Sequence, residues 1–185
     1  GISRLAELAS FYTFATPATP VPDEKVSEAH ITRVDSTCGM AGDQLVLDVT
    51  LGVDGAVGPK GRRVPSEKPS FMYPYFIALL DSQNKILFKD MHALSIAYDA
   101  QLNQSSQEET VHVRIPAAAL NGAAPRDMRV LVGFQLGPDE VRYNRLLPTG
   151  QLGKTLSPTV DRASAPAPLP AGSSEATIER LKKGN

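Results

Sequence analysis

One stretch in the middle of this chain alternates without a break. From Gln44 to Val53, the residues Leu45, Leu47, Val49, Leu51 and Val53 fall on one face, while Gln44, Asp48 and Thr50 fall on the other. A period of two belongs to a β-strand with one buried side and one wet side, and no helix reproduces it. The segments around it are of the same kind: short, rich in β-branched and aromatic residues, and separated by turn chemistry. Strands are predicted over 30–38, 71–81, 85–89, 94–98, 111–115 and 128–136. Segment 71–81 is apolar on both faces after Pro74, which predicts a buried central strand starting just past that proline. Ala41-Gly42-Asp43 and Ser82-Gln83-Asn84 read as turns. The glycine- and proline-rich run 54–70 reads as a long exposed loop, Asn103–Glu109 as a polar connection, and Gly137-Pro138-Asp139-Glu140 as the start of one helical turn. The fold class that follows is all-β: an antiparallel β-sandwich over 28–145, immunoglobulin-like in general form.

Charge and composition narrow the role. The 185 residues carry 19 Lys+Arg and 20 Asp+Glu, a formal charge of -1. No net field gathers nucleic acid, so nucleic acid is not an expected partner. The longest apolar stretch, Phe76–Leu80, falls far short of the ~20 residues that cross a bilayer as a helix. The sequence opens at Gly1 without a leader of charged and then apolar residues, so an export signal is expected to have been removed upstream.

The two ends differ from the middle. Residues 1–27 are predicted to be a short N-terminal helix over 2–14 followed by an extended connector through Pro17, Pro20 and Pro22. Ile2, Leu5, Leu8, Ala9 and Tyr12 form a stripe at helical spacing that Phe11 and Phe14 widen. A helix this short needs a surface to pack on, which is either its own domain or a partner. Residues 146–185 form a Pro/Ala-rich C-terminal tail with no aromatic side chain and with the run Ala163–Ser174. Such composition buries too little apolar area to offset chain entropy, so it is expected to be disordered in isolation. Ser174 caps a predicted short helix over 175–183, with Ile178 and Leu181 adjacent on it. Ile2, Leu5, Leu8, Phe11, Tyr12, Ile178 and Leu181 are therefore the candidate partner-binding residues.

No constellation in the chain names a reaction. His30, His92 and His112 lie far apart and none has a second ligand at metal spacing. By strand parity His112 faces solvent. The single cysteine, Cys38, has no neighbouring base. Motifs for a nucleophile elbow, a phosphate loop, a zinc protease and a covalent haem are absent. Lys60, Arg62 and Arg63 read as a charged loop tip, and Asp139 and Glu140 as helix-start acids. No catalytic residue, cofactor or metal is expected, and the chain is read as not an enzyme.

Several segments carry a family resemblance: Leu5-Ala-Glu-Leu-Ala-Ser-Phe11, the pair Thr37-Cys38, Tyr75–Asp81 with Lys85–Lys89, and above all Val130–Leu136 through Pro138–Arg145. Together, over about residues 2–145, they resemble small alphaproteobacterial periplasmic lipoproteins of uncharacterised function. The resemblance implies a signal peptide ending in a lipidated cysteine upstream of Gly1 and a domain in the periplasm. Membrane contact is expected only through that inferred anchor. The cysteine itself is not in this sequence, and the proline-rich tail departs from the family pattern. The expected role is a non-catalytic accessory or assembly subunit that clasps a larger membrane-associated protein complex, such as a respiratory or quinohaemoprotein dehydrogenase, through its two ends. One alternative is a small-molecule or glycan-binding module using the loop Gly55–Pro69 with Tyr73 and Tyr75. A pilus or filament subunit is another.

Overall fold

The computed structural model describes residues 2–4, 6–17 and 20–147. Two four-stranded sheets pack face to face. The first has the order β1 (Ile2–Arg4), β8 (Arg129–Phe134), β5 (Ser70–Leu80), β6 (Ile86–Ala97). The second has the order β2 (Ser10–Phe14), β3 (Lys25–Ala41), β4 (Gln44–Val57), β7 (Gln104–Pro116). All pairings are antiparallel except β1 with β8. A helix, α1 (Pro138–Leu146), follows the last strand.

The alternation read from the sequence is the core. Leu45, Leu47, Val49, Leu51 and Val53 are at most 2 % exposed, and they meet Tyr73, Tyr75, Ile77 and Leu79 of β5 and Val130, Val132 and Phe134 of β8 across the sandwich. The turns follow their chemistry. Gly42, at φ 64°, opens the two-residue turn between Ala41 and Gln44, where a positive φ keeps the twist of the flanking strands. Asp81 Oδ1 accepts from the backbone N–H groups of Gln83 and Lys85, and Asn84 takes the left-handed position at φ 66°.

The helix predicted over 2–14 is not formed. Residues 2–4 pair with Val130–Val132, Ala6–Leu8 make one 3-10 turn, and Ser10–Phe14 pair with β3. Two adjacent sheet edges were open to this segment. A run of Phe, Tyr, Thr and Phe gains more from ladder hydrogen bonds and a pleated surface than three isolated helical turns return. The segment is thus part of both sheets, and the connector ends where β3 begins at Lys25.

Other boundaries also move. β4 runs on to Val57, four residues into the predicted loop, because Gly55 lets Tyr98 lie against the strand; a Cβ there would collide with Tyr98 Oη. β5 passes through Pro74. The Pro74 carbonyl accepts from Gln135 N, so its nitrogen points to the same side, where the ladder with β8 has just ended at Tyr75–Phe134; no strand hydrogen bond is lost there. Segments 85–89 and 94–98 are one strand, and the polar run 103–109 is the first half of β7. The helical turn at Pro138 extends to nine residues.

Candidate functional site

β3 is the strand whose two halves live differently. Its first half is covered on its free side by β2, in the register Ser10↔His30 to Phe14↔Lys25. Beyond that, Thr32 is an extra residue: Ile31 faces Val53 and Arg33 faces Gly52, so the strand bulges. A bulge switches parity. Before it, Ala29 and Ile31 point into the core at 0 and 1 % exposure. After it, Val34, Ser36, Cys38 and Met40 take the inner row, opposite the buried Leu51, Val49, Leu47 and Leu45.

That inner row loses its cover toward the end of the strand. Val34 and Ser36 are half-buried, Cys38 is exposed and Met40 is 50 % exposed. The opposite sheet ends on this side at β1, three residues long. Among the described residues no strand pairs with the outer edge of Arg33–Ala41. The result is a free backbone edge next to a row containing Val34, Cys38 and Met40. Soluble proteins protect such edges with charge, but Arg33 is turned away from this one, bonded to Asp35 at 2.8 Å and, across β4, to Glu108 of β7 at 2.5 Å.

A second surface lies on the outer face of β2 and β3, where α1 packs. Asn144, 1 % exposed, donates from Nδ2 to the carbonyls of Glu7 at 2.7 Å and Ser10 at 2.8 Å. Arg145 Nε pairs with Glu7 Oε2 at 3.1 Å. The helix is started by Pro138 and by Glu140, which accepts from Gly137 N. Pinned this way, α1 sets the Tyr143 ring edge-on to Tyr12 at 5.3 Å and to Phe14 at 5.0 Å. A groove of about 370 Å³ opens beside these rings, walled also by Pro17, Pro20 and Leu146, with Asp139, Glu140 and Arg142 along its length.

Charge organises the floor beside the groove. Glu28 is held down to about 2, first by His30 and then by Lys25, against the opposing effect of burial. Lys25 Nζ stands 2.7 Å from its carboxylate, in a hydrogen-bonded ion pair, and His30 Nε2 lies 3.9 Å away. Burial and the Glu28 charge push the Tyr12 phenol up to about 12. Tyr12 is thus a neutral, half-apolar wall at every physiological pH.

The predicted site residues are dispersed by these elements. Phe11 points into the sandwich and meets Tyr73 at 5.6 Å and Phe134 at 5.8 Å, edge to face. Leu8 lies on the outside of the first sheet against Phe76, Ala78 and Leu80. Tyr12 walls the groove. The backbone of Ile2 belongs to β1, while Leu5, Ile178 and Leu181, with the predicted tail from residue 148 on and its short helix, lie outside the described residues; Leu146, placed in that tail, is the last residue of α1. Tyr73 and Tyr75, expected at a ligand-binding loop end, are 0 and 1 % exposed between the sheets; burial pushes both phenols up. The loop they were to serve is closed by Arg62, which donates to the carbonyls of Glu67, Asp99 and Leu102 and to Asn103 Oδ1.

The histidines all have partners close by. His30 Nδ1 is 3.0 Å from Ser10 Oγ, His92 stacks on Tyr75 at 5.3 Å, and the exposed His112 pairs with Asp48 at 2.7 Å. Residues missed at the sequence level are Val34 and Met40 at the free edge and Tyr143 and Leu146 on α1. The last two were legible as an i, i+3 pair, had the helix been extended past its first turn. Comparison with protein-family models, with curated proteins and with solved structures returns no match to this chain.

Proposed function

We propose that this chain is a non-catalytic accessory subunit that docks a larger protein assembly along the free edge of β3. The observation that carries the reading is the edge Arg33–Ala41, unpaired among the described residues, with Cys38 and Met40 exposed and Val34 half-buried beside it. A partner strand laid along this edge would supply the missing ladder and bury the inner row in one step, as in recognition by strand addition. The dispersal of the three histidines over separate places in the fold, with none lining the groove, supports a binding role over acid–base chemistry.

The reading departs from a clasp made by both ends. Residues 6–14 are built into the fold, so the body of the sandwich does the docking. A periplasmic position, and a lipid anchor upstream of Gly1, belong to the same proposal and rest on the family resemblance; among the described residues no helix is long and apolar enough to cross a membrane. The immunoglobulin-like character is supported by two four-stranded sheets whose pairings, β1 with β8 apart, are antiparallel. It is qualified by the β3–β4 hairpin, which stays in one sheet where the second and third immunoglobulin strands part.

The test is a photo-crosslinking amino acid placed at Thr37, on the free edge, in the tagged chain in native membranes. The expected result is one adduct of defined mass with a different protein, absent when the probe sits at Gln83 in the β5–β6 turn. Recovery of the Thr37 probe without any adduct would remove the proposal. An adduct of twice the chain's own mass would favour the filament-subunit reading, which the same open edge supports through strand addition between copies.

A further inference from the structure

The outer face of the first sheet, on the opposite side of the sandwich from α1, is apolar and cationic. Residues paired across an antiparallel ladder share a face, and the register sets Met72 beside Ser95, Pro74 beside Ala93, Phe76 beside Met91 and Ala78 beside Lys89. Leu80 stands between Ile86 on one side and Arg129 on the other. The turn Ala6–Leu8 covers part of this face, packing Leu8 on Phe76, Ala78 and Leu80 where Gly133 leaves it room; a Cβ at Gly133 would stand 2.8 Å from Leu8 Cβ. Along β6 and at the start of β5 the face is open. Met72 is 69 %, Ile86 56 % and Met91 48 % exposed. From Met72 to Leu80 the strip runs ~26 Å at the usual strand rise.

Hydrogen bonding and charge decide what such a surface fits. Its polar side chains are largely satisfied within the sheet: Ser70 Oγ and Ser95 Oγ bond each other at 3.0 Å, and Lys89 Nζ donates to Gln135 Oε1 at 3.2 Å while standing 4.6 Å from the centre of the Phe76 ring. A folded protein partner draws on about one directed hydrogen bond per 100–200 Å², and this face has few to give. The residues of β5, β6 and β8 that share it include Lys89 and Arg129 and no acid. Lys85 precedes Ile86 at the same end, and neither Lys85 nor Arg129 has an ion pair among the described residues. The nearest acids are engaged elsewhere. Asp90 is on the inner row opposite Ile77, and Asp81 Oδ1 accepts from the N–H groups of Gln83 and Lys85.

We infer that this face seats on a bilayer surface of anionic lipid, with Met72, Met91 and Ile86 entering the boundary between headgroups and acyl chains and Lys85, Lys89 and Arg129 meeting the lipid phosphates. Apolar contact without direction and cations without acids are the two things that an anionic bilayer surface rewards. The unbranched methionines adapt to a fluid layer. The formal charge of -1 on the whole chain does not oppose the contact, because salt screens exposed charges beyond ~8 Å and leaves the seated face to decide. The contact is separate from the free edge of β3, which belongs to the other sheet.

The 185-residue chain tests this directly in sedimentation with vesicles of phosphatidylcholine, alone or with about one third phosphatidylglycerol. The natural chain is expected to sediment with the anionic vesicles and to stay in solution with the neutral ones. K85Q/K89Q/R129Q should lower the partition roughly a hundredfold, at about fivefold per cation. The chain contains no tryptophan, so Met72→Trp supplies a single fluorophore on the face and Met40→Trp one on β3. Lipids brominated in their acyl chains should quench the first and leave the second unchanged. A natural chain that stays in solution with the anionic vesicles would overturn the inference. Quenching of Met40→Trp without quenching of Met72→Trp would overturn it too, by moving the contact to the other sheet. So would retention on a polyglutamate resin without vesicle binding, which would assign the face to an acidic protein. None of these results touches the Thr37 adduct, which is read independently.

Discussion

At the scale of single residues, the chain places its charges where they do structural duty. Glu28 is the clearest case. Its carboxyl sits at about 2 in the folded chain against 4.5 in the open one, held by His30 and Lys25. A depressed carboxyl stabilises the fold above its unfolded value and loses that contribution as pH falls toward its folded value. The side chain is 24 % exposed, so a contribution on the order of 3 kcal/mol follows. Glu28→Gln should therefore lower the stability at pH 7 by roughly that amount and flatten the loss between about pH 4.5 and pH 2 in urea titrations. Arg62 is a second case, since one guanidinium ties three carbonyls and an amide from two loops. Lysine keeps the charge but not the fork, so Arg62→Lys should cost about 1–3 kcal/mol by the same titration. Neither role was legible in the sequence. Arg62 read as a loop-tip charge because its acceptors come from residues 67, 99, 102 and 103, which only the fold brings together.

At the scale of elements, α1 depends on one buried amide. Asn144 satisfies the carbonyls of Glu7 and Ser10, and the helix makes its remaining contacts with β2 and the turn before it. Asn144→Leu leaves two acceptors without a donor, at about 1–3 kcal/mol each. The loss should be local: hydrogen exchange is expected to rise across α1 and β2 while β4 and β5 keep their protection. The strands themselves were legible to different degrees, for physical reasons. β4 was clear because both its neighbours and the facing sheet bury one row along its whole length. β3 was read short because the bulge at Thr32 interrupts the alternation, leaving apolar Ile31 and Val34 three apart. β7 was read short because its first half stands where burial is slight, so Gln104–Thr110 had no apolar row to display.

At the scale of the whole molecule, the N-terminal segment closes the sandwich. β1 completes the first sheet beside β8 and β2 completes the second beside β3, with Phe11 between the layers. Deleting residues 1–16 should unfold or aggregate the domain. The deletion is expected to exceed Phe11→Ala, itself worth about 3–5 kcal/mol, when midpoints of urea unfolding are compared. A detachable clasp would instead leave the midpoint unchanged. The sequence by itself determined the all-β class, the core row of β4, the two hairpin turns and the proline-rich character of the tail, because period two, turn residues and proline act over a few neighbours in the chain. Which row of β3 stays bare, where Phe11 goes and how Tyr12 comes to face Tyr143 were decided only by the tertiary structure. Those outcomes depend on where the opposite sheet stops and which edge is left to fill, and both are set by strands far away in sequence.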